Sequence, residues 1–233
     1  LTAMSGVLYF SATSANGREL WKSNGTSAGT MLVRDIKPSS ADSAPQNLTS
    51  VNGTLYFIAN NGVLGMELWK TNGTSAGTVL VKDISTDDEL SADLDNLTAF
   101  GDHLYFTAST ESSGNELWKS DGTTTGTVMV KDVSVGPESS WIYQMTNING
   151  TLYFRSANST NGHKYELWKS NGTAVGTVSV ARIAGGEIDN EYEYGRLISA
   201  GSLLYVAGAT AERGQELYSL NLSATSGSRA SIR

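Results

Sequence analysis

The sequence predicts an all-β protein, a five-bladed β-propeller with four antiparallel strands per blade, and three observations carry that prediction. A pair of motifs recurs five times: Leu-Tyr-Phe begins at Leu8, Leu55, Leu104 and Leu152, with Leu204-Tyr205-Val206 as a fifth version. Its companion, Glu-Leu-Trp, begins at Glu19, Glu67, Glu116 and Glu166 and returns as Glu216-Leu217-Tyr218, in steps of 48, 49, 50 and 50 residues. Glycine-centred turns punctuate each unit, and no segment has a helical apolar period. The units fall at about 1–46, 47–95, 96–144, 145–196 and 197–233, which use the whole chain and leave no second domain.

The second copy shows how each element is read. Leu48 to Val51 is a short first strand. Asn52-Gly53 follows, the pair that supplies the positive φ of a two-residue hairpin. Thr54 to Ala59, rich in aromatic and β-branched residues, is the second strand. A loop from Asn60 to Gly65 leads to a third strand, Met66 to Thr71. The turn Asn72-Gly73-Thr74-Ser75-Ala76-Gly77 precedes a fourth strand, Thr78 to Ile84. Four short strands in about 50 residues are the size of a propeller blade. An open stack of repeats would need polar capping units, yet copy one shows the full core pattern with no cap before it. Closure into a ring is therefore the expectation, with Ser228–Ile232 as a weak outer strand of the last blade; a strand swap between the chain ends is the alternative.

Composition narrows the function. A net charge of −7 argues against a nucleic-acid or anionic-membrane binder. The absence of cysteine removes disulfides and thiolate chemistry. No apolar run approaches the roughly 20 residues of a membrane-spanning helix. Leu1 has no initiator Met or leader before it and reads as the cut end of a longer or processed chain; a monomeric domain is expected.

The run Glu116-Leu117-Trp118-Lys119-Ser120-Asp121-Gly122-Thr123-Thr124-Thr125-Gly126-Thr127, followed by Val130-Lys131-Asp132-Val133, resembles the bacterial ELWxxDGT repeat family. Equivalent runs are Glu19–Thr30, Glu67–Thr78 and Glu166–Thr177, with Asn24, Asn72 and Asn171 in place of the aspartate. Copy five departs, with Tyr218 for Trp and Asn221-Leu222-Ser223 for Asp-Gly-Thr. The resemblance implies a secreted or cell-surface bacterial protein whose repeats serve adhesion or structure, and it brings no catalytic residues.

Residues that recur in every copy are expected to fasten the fold: the five glutamates, the lysines Lys22, Lys70, Lys119 and Lys169, and the aromatic stripes. Binding residues are expected where copies differ, on loops carried by a rigid scaffold. In an up-and-down blade these are the strand-two-to-three loops and the crossovers Lys37–Asn47, Ser85–Asn96, Ser134–Gln144 and Ala184–Arg196. The third holds Trp141 and Tyr143. The fourth holds Tyr192 and Tyr194 beside Glu191 and Glu193. Rings next to carboxylates suit a sugar, whose apolar face stacks while its hydroxyls donate. The same rings could instead plug a channel. The second crossover carries Asp87, Asp88, Asp93 and Asp95, oxygen ligands that could hold calcium. Their order is not that of an EF-hand loop, and a solvated acidic loop with no cofactor is the preferred reading.

Enzyme signals are sparse. His103 and His163 belong to no metal spacing, and no nucleophile elbow or phosphate loop occurs. The inner strands, read as Leu1–Met4, Leu48–Val51, Leu97–Phe100, Met145–Ile148 and Leu197–Ala200, contain no carboxylate for a glycoside hydrolase. The sequence thus points to a non-catalytic, lectin-like module that binds a glycan or other cell-surface ligand. A structural or protein-interaction module is the alternative, and a glycoside hydrolase or lyase a third reading.

Overall fold

A computed structural model describes residues 1–85, 92–157, 165–182, 197–210 and 214–222. Among them every regular element is a β-strand, and the strands form five successive antiparallel sheets in chain order. The first sheet is β1 (Thr2–Met4), β2 (Val7–Ser14), β3 (Gly17–Ser23) and β4 (Met31–Arg34). The second is β5 (Gln46–Val51), β6 (Thr54–Asn60), β7 (Met66–Thr71) and β8 (Val79–Lys82). The third is β9 (Asp95–Phe100), β10 (His103–Thr110), β11 (Gly114–Ser120) and β12 (Val128–Lys131). The fourth is β13 (Tyr143–Ile148), β14 (Thr151–Ala157), β15 (Tyr165–Ser170) and β16 (Val178–Arg182). Three strands of the fifth are described, β17 (Ile198–Ala200), β18 (Leu203–Thr210) and β19 (Gly214–Asn221); Ser228–Ile232 lies outside the described residues. Each sheet meanders, every strand pairing with its neighbour in sequence.

The chain forms two compact units, Leu1–Ser112 with Leu117–Met129, and Ser113–Glu116 with Val130–Arg233. Within the first unit, the motif residues show why the sheets need one another. Along β6 side chains alternate between two faces. Leu55, Phe57 and Ala59 join a core with Met4, Tyr9, Leu20 and Val33 of the first sheet. Tyr56 and Ile58 join another with Leu104, Phe106 and Trp118. A strand buried on both faces explains the unbroken apolar run of the Leu-Tyr-Phe motif. Register holds the motif pair together: Phe57 lies opposite Trp69 just as Phe10 lies opposite Trp21. In the second unit the same alternation places Tyr153, Leu167, Leu204, Val206 and Tyr218 in one core, and Phe154 stacks on Trp168 at 6.2 Å.

The inner strands β5, β9 and β13 begin earlier than the sequence pattern suggests, while β1 and β17 begin one residue later. The expected Leu48 start is preceded by Gln46 and Asn47, and Asp95 stands inside β9. The reason is a bulge that interrupts the apolar pattern. Register shifts between Gln46 and Thr49, and between Tyr143 and Thr146, where Asn47 and Gln144 take φ of 53° and 57°. An inner-strand carboxylate is therefore present: Asp95 Oδ1 accepts a 2.7 Å hydrogen bond from Asn47 Nδ2.

Candidate functional site

The recurrent residues act as fasteners, each in its own way. Glu19, in β3, is fully buried. It accepts from the backbone N–H groups of Ile36 at 3.0 Å and Ser43 at 3.1 Å, and from the Ser43 hydroxyl. It thereby ties β3 to the crossover of its own copy. Glu67 and Glu116 accept from Ile84 and Val133 in the same way. Burial pushes their carboxyls up, to about 7 and about 8, with Asp83 and Asp132 adding to the shift.

The lysines reach outward instead. Lys22 Nζ donates to the Gly73 carbonyl and Lys70 Nζ to that of Gly122, each at 2.7 Å. The acceptor is in both cases the strand-three-to-four turn of the next copy. Arg34, Lys82 and Lys131 repeat the device one strand further out, donating to the carbonyls of Thr78, Thr127 and Ala174. Gly73 must be glycine here, since its φ is +88° and a Cβ would meet the Tyr9 hydroxyl.

The crossovers carry the candidate binding residues, and their backbones are alike. The amide of Ala44 donates to Arg18 O, and Ser43 O accepts from Asn60 of the next sheet. Ser140 O accepts from Ala157 of the next sheet in the same pattern, while the amide that bonds Asn115 O is that of Ser140, one position earlier than in the first crossover. The next residue is left-handed each time: Ala44, Asp93 and Trp141 have φ of 49°, 44° and 46°. In an L-residue with a bulky side chain that conformation is strained. Trp141 is held in it with 41% of its surface exposed.

Tyr143 starts β13 and is only half-buried. Its ring meets that of Tyr165 edge-on at 6.3 Å. Arg155, in β14, is 2% exposed and lies over the other partner, 4.8 Å from the Tyr165 ring centre. Tyr143 is thereby tied to the core, while Trp141 two residues away faces solvent. Arg155 stands where other copies have Ser11, Ile58 or Thr107, and sequence reasoning passed over it; the signal was a charged residue at an otherwise uncharged repeat position. Tyr192, Tyr194, Glu191 and Glu193 lie outside the described residues, as do Asp87 and Asp88. Asp93 and Asp95 are described. Among the described residues no group of three or more His, Asp or Glu side chains is placed to hold a metal ion.

A cavity of about 390 Å³ lies at the opposite end of the strands from Trp141. Ile148, Asn149, Tyr153, Ser202 and Leu222 are among its lining residues. It adjoins the place where copy five has lost the Asn-Gly-Thr turn.

No family model matches the chain, and no curated protein matches it. Solved structures do. A puromycin hydrolase matches with a TM-score of 0.54 at 12% identity, over 92% of this chain and 34% of its own. A prolyl endopeptidase matches at 0.56 and 11% identity, over 94% of this chain and 32% of its own. A puromycin-hydrolyzing peptidase from Mycobacterium tuberculosis matches at 0.51 and 10% identity, over 96% and 38%. The chain thus spans about a third of the length of the structures it matches. At such identities the likeness shows the fold alone, a propeller-like succession of antiparallel sheets.

Proposed function

We propose that the chain is a closed five-bladed propeller of the ELWxxDGT kind, and that it is a non-catalytic carbohydrate-binding or adhesive module of a secreted or surface bacterial protein. The observation that carries this reading is Trp141. A crossover position filled by Ala44 in one copy and Asp93 in another holds an indole in the third, exposed and in a strained left-handed conformation. An exposed ring fixed on a rigid backbone is suited to stack on the apolar face of a pyranose. A bulky side chain is rarer in that conformation than the alanine or aspartate of the other copies. Tyr143 supports the neighbouring backbone from the core side, and the crossover with Tyr192, Tyr194, Glu191 and Glu193 would complete the surface with hydroxyl acceptors.

The test is a glycan array with the 233-residue chain, followed by Trp141→Ala. Binding that falls at least tenfold in the variant, with thermal stability kept, supports the reading. Binding unchanged in both Trp141→Ala and Tyr192→Ala rejects the site. The second reading, a structural or protein-interaction bead, is favoured by the lysine and arginine clamps between successive copies, which stiffen the chain without making a pocket. No binding to any glycan favours that reading. Release of sugar from a glycan substrate would restore the hydrolase reading.

A further inference from the structure

Two buried glutamates keep an oxygen that no hydrogen bond reaches. Glu67 and Glu116 are fully buried, and each accepts one backbone N–H through Oε2, at 3.0 Å and 2.6 Å. Oε1 of each has no hydrogen-bond partner. In the same two copies an aspartate oxygen is stranded as well, Asp83 Oδ1 and Asp132 Oδ1. A buried, unpaired carboxylate oxygen is costly, and two in one place are costlier.

Strand register brings the two acids together. Leu68 of β7 pairs with Lys82, the last residue of β8, and the same register continued one step beyond the ladder sets Glu67 opposite Asp83. Directly opposed residues project from the same face, with Cβ atoms about 4.5–5.5 Å apart. Glu116 and Asp132 have the same separation in sequence. Asp83 is the charged group that bears on Glu67, and Asp132 the one that bears on Glu116. The remaining groups facing them are amides of Ile84, Ser85, Val133 and Ser134 and the Ser140 hydroxyl, which donates to the Asn115 carbonyl at 2.8 Å; Asp87, Asp88 and Glu89 lie outside the described residues. Copies one and four are built otherwise. Glu19 uses both oxygens on Ile36 and Ser43, although Asp35 Oδ1 is also buried without a partner. In copy four the aspartate position is Arg182, paired in register with Glu166.

We propose that Glu67–Asp83 and Glu116–Asp132 each share one proton, Glu Oε1–H donating to Asp Oδ1, and that the two pairs make copies two and three loosen as the solution turns alkaline. One proton satisfies both stranded oxygens of a pair. Its loss to solvent leaves two carboxylates facing each other, the glutamate of each pair fully buried. The direction follows from linkage. An unfolded glutamate releases its proton near 4.5, whereas the folded Glu67 and Glu116 hold theirs to about 7 and about 8. The stabilisation is complete below the lower value, declines through that window and is gone above it.

Thermal unfolding of the whole chain between pH 5 and pH 9 tests the proposal, at constant ionic strength. The wild type is expected to lose roughly 5 °C or more in Tm across the window. Glu67→Gln with Glu116→Gln keeps the donor as an amide and is expected to flatten the decline. Asp83→Asn with Asp132→Asn gives each ionised glutamate a donor and is expected to move the decline to lower pH. Infrared spectra of the unmutated chain provide a readout without any variant: a protonated-carboxyl band persists above pH 6 and disappears by pH 9. No such band, or a decline that survives in the double glutamine variant, overturns the proposal. So does a Tm at pH 9 restored by calcium or sodium, which would make the pairs cation sites.

Discussion

Asn24, Asn72, Asp121 and Asn171 occupy one position of a turn and make the same bonds, whereas Ala44, Asp93 and Trp141 occupy one position of a crossover and share only a backbone angle. In the turn, side chains do the building. Asn72 Oδ1 accepts from the amide and hydroxyl of Thr74, the Thr74 hydroxyl accepts from Gly77, and Thr78 closes the loop onto Thr71. Copies one, three and four repeat every one of these bonds. In the crossover, main-chain bonds do the building: Ser43 O and Ser140 O each accept from the following sheet, as Ala92 O does from Ser109. A segment held by its own side chains must repeat its sequence. A segment held by its backbone can change its side chains and keep its shape, which makes the crossover the place to display a ligand-binding residue.

The sharpest way to break this contrast is at the last glycine of the turn. A Cβ on Gly77 would run into the Asn72 carboxamide, and Gly126 and Gly176 stand in the same relation to Asp121 and Asn171. Gly77→Ala must displace the side chain that organises the loop, at an expected cost of about 2–3 kcal/mol from overpacking and lost hydrogen bonds. Urea unfolding measures it. A cost below about 0.5 kcal/mol, within the ordinary surface range, would mean that the side chains merely decorate the turn.

A smaller effect separates fastening within a copy from fastening between copies. Lys70 donates to a carbonyl at 2.7 Å and not to a carboxylate. Lys70→Met is expected to cost about 1–2 kcal/mol, with the same cost at low and high salt. The Arg18–Asp42 pair, at 3.8 Å and with both side chains half exposed, is the control. Removing it should change stability by less than about 1 kcal/mol and only at low salt.

Much of the fold was readable from residue order because its signals are local. The third strand of copy two, Met66–Thr71, lies where the pattern puts it, and the second strand differs by one residue at its end. What was not readable depends on partners about 50 positions away. Nothing near Lys22 says that its ammonium ends on the carbonyl of Gly73. The bulge at Asn47 was hidden because asparagine there reads as a turn residue, not as part of a strand. At the candidate site Trp141 was legible as an odd aromatic in a polar loop. Its left-handed backbone was not, because Ala44 and Asp93, at the same position, offer none of the usual glycine signal.

The least costly change tests the crossover from the opposite side. Ala44 has φ of 49° with its alanine methyl intact, so Ala44→Gly relieves a strained conformation and removes little surface. Against this stands the extra freedom that glycine gives the unfolded chain, which keeps the net gain to about 0.5 kcal/mol. The two alanine–glycine exchanges therefore carry opposite signs: glycine to alanine destabilises in the turn, and alanine to glycine stabilises in the crossover. Urea midpoints for the pair decide it. Destabilisation in both would mean that the Ala44 methyl packs as the turn residues do, and that the crossover is also built by its side chains. Trp141 would then be a structural residue on the same footing, and its exposure would no longer favour a sugar.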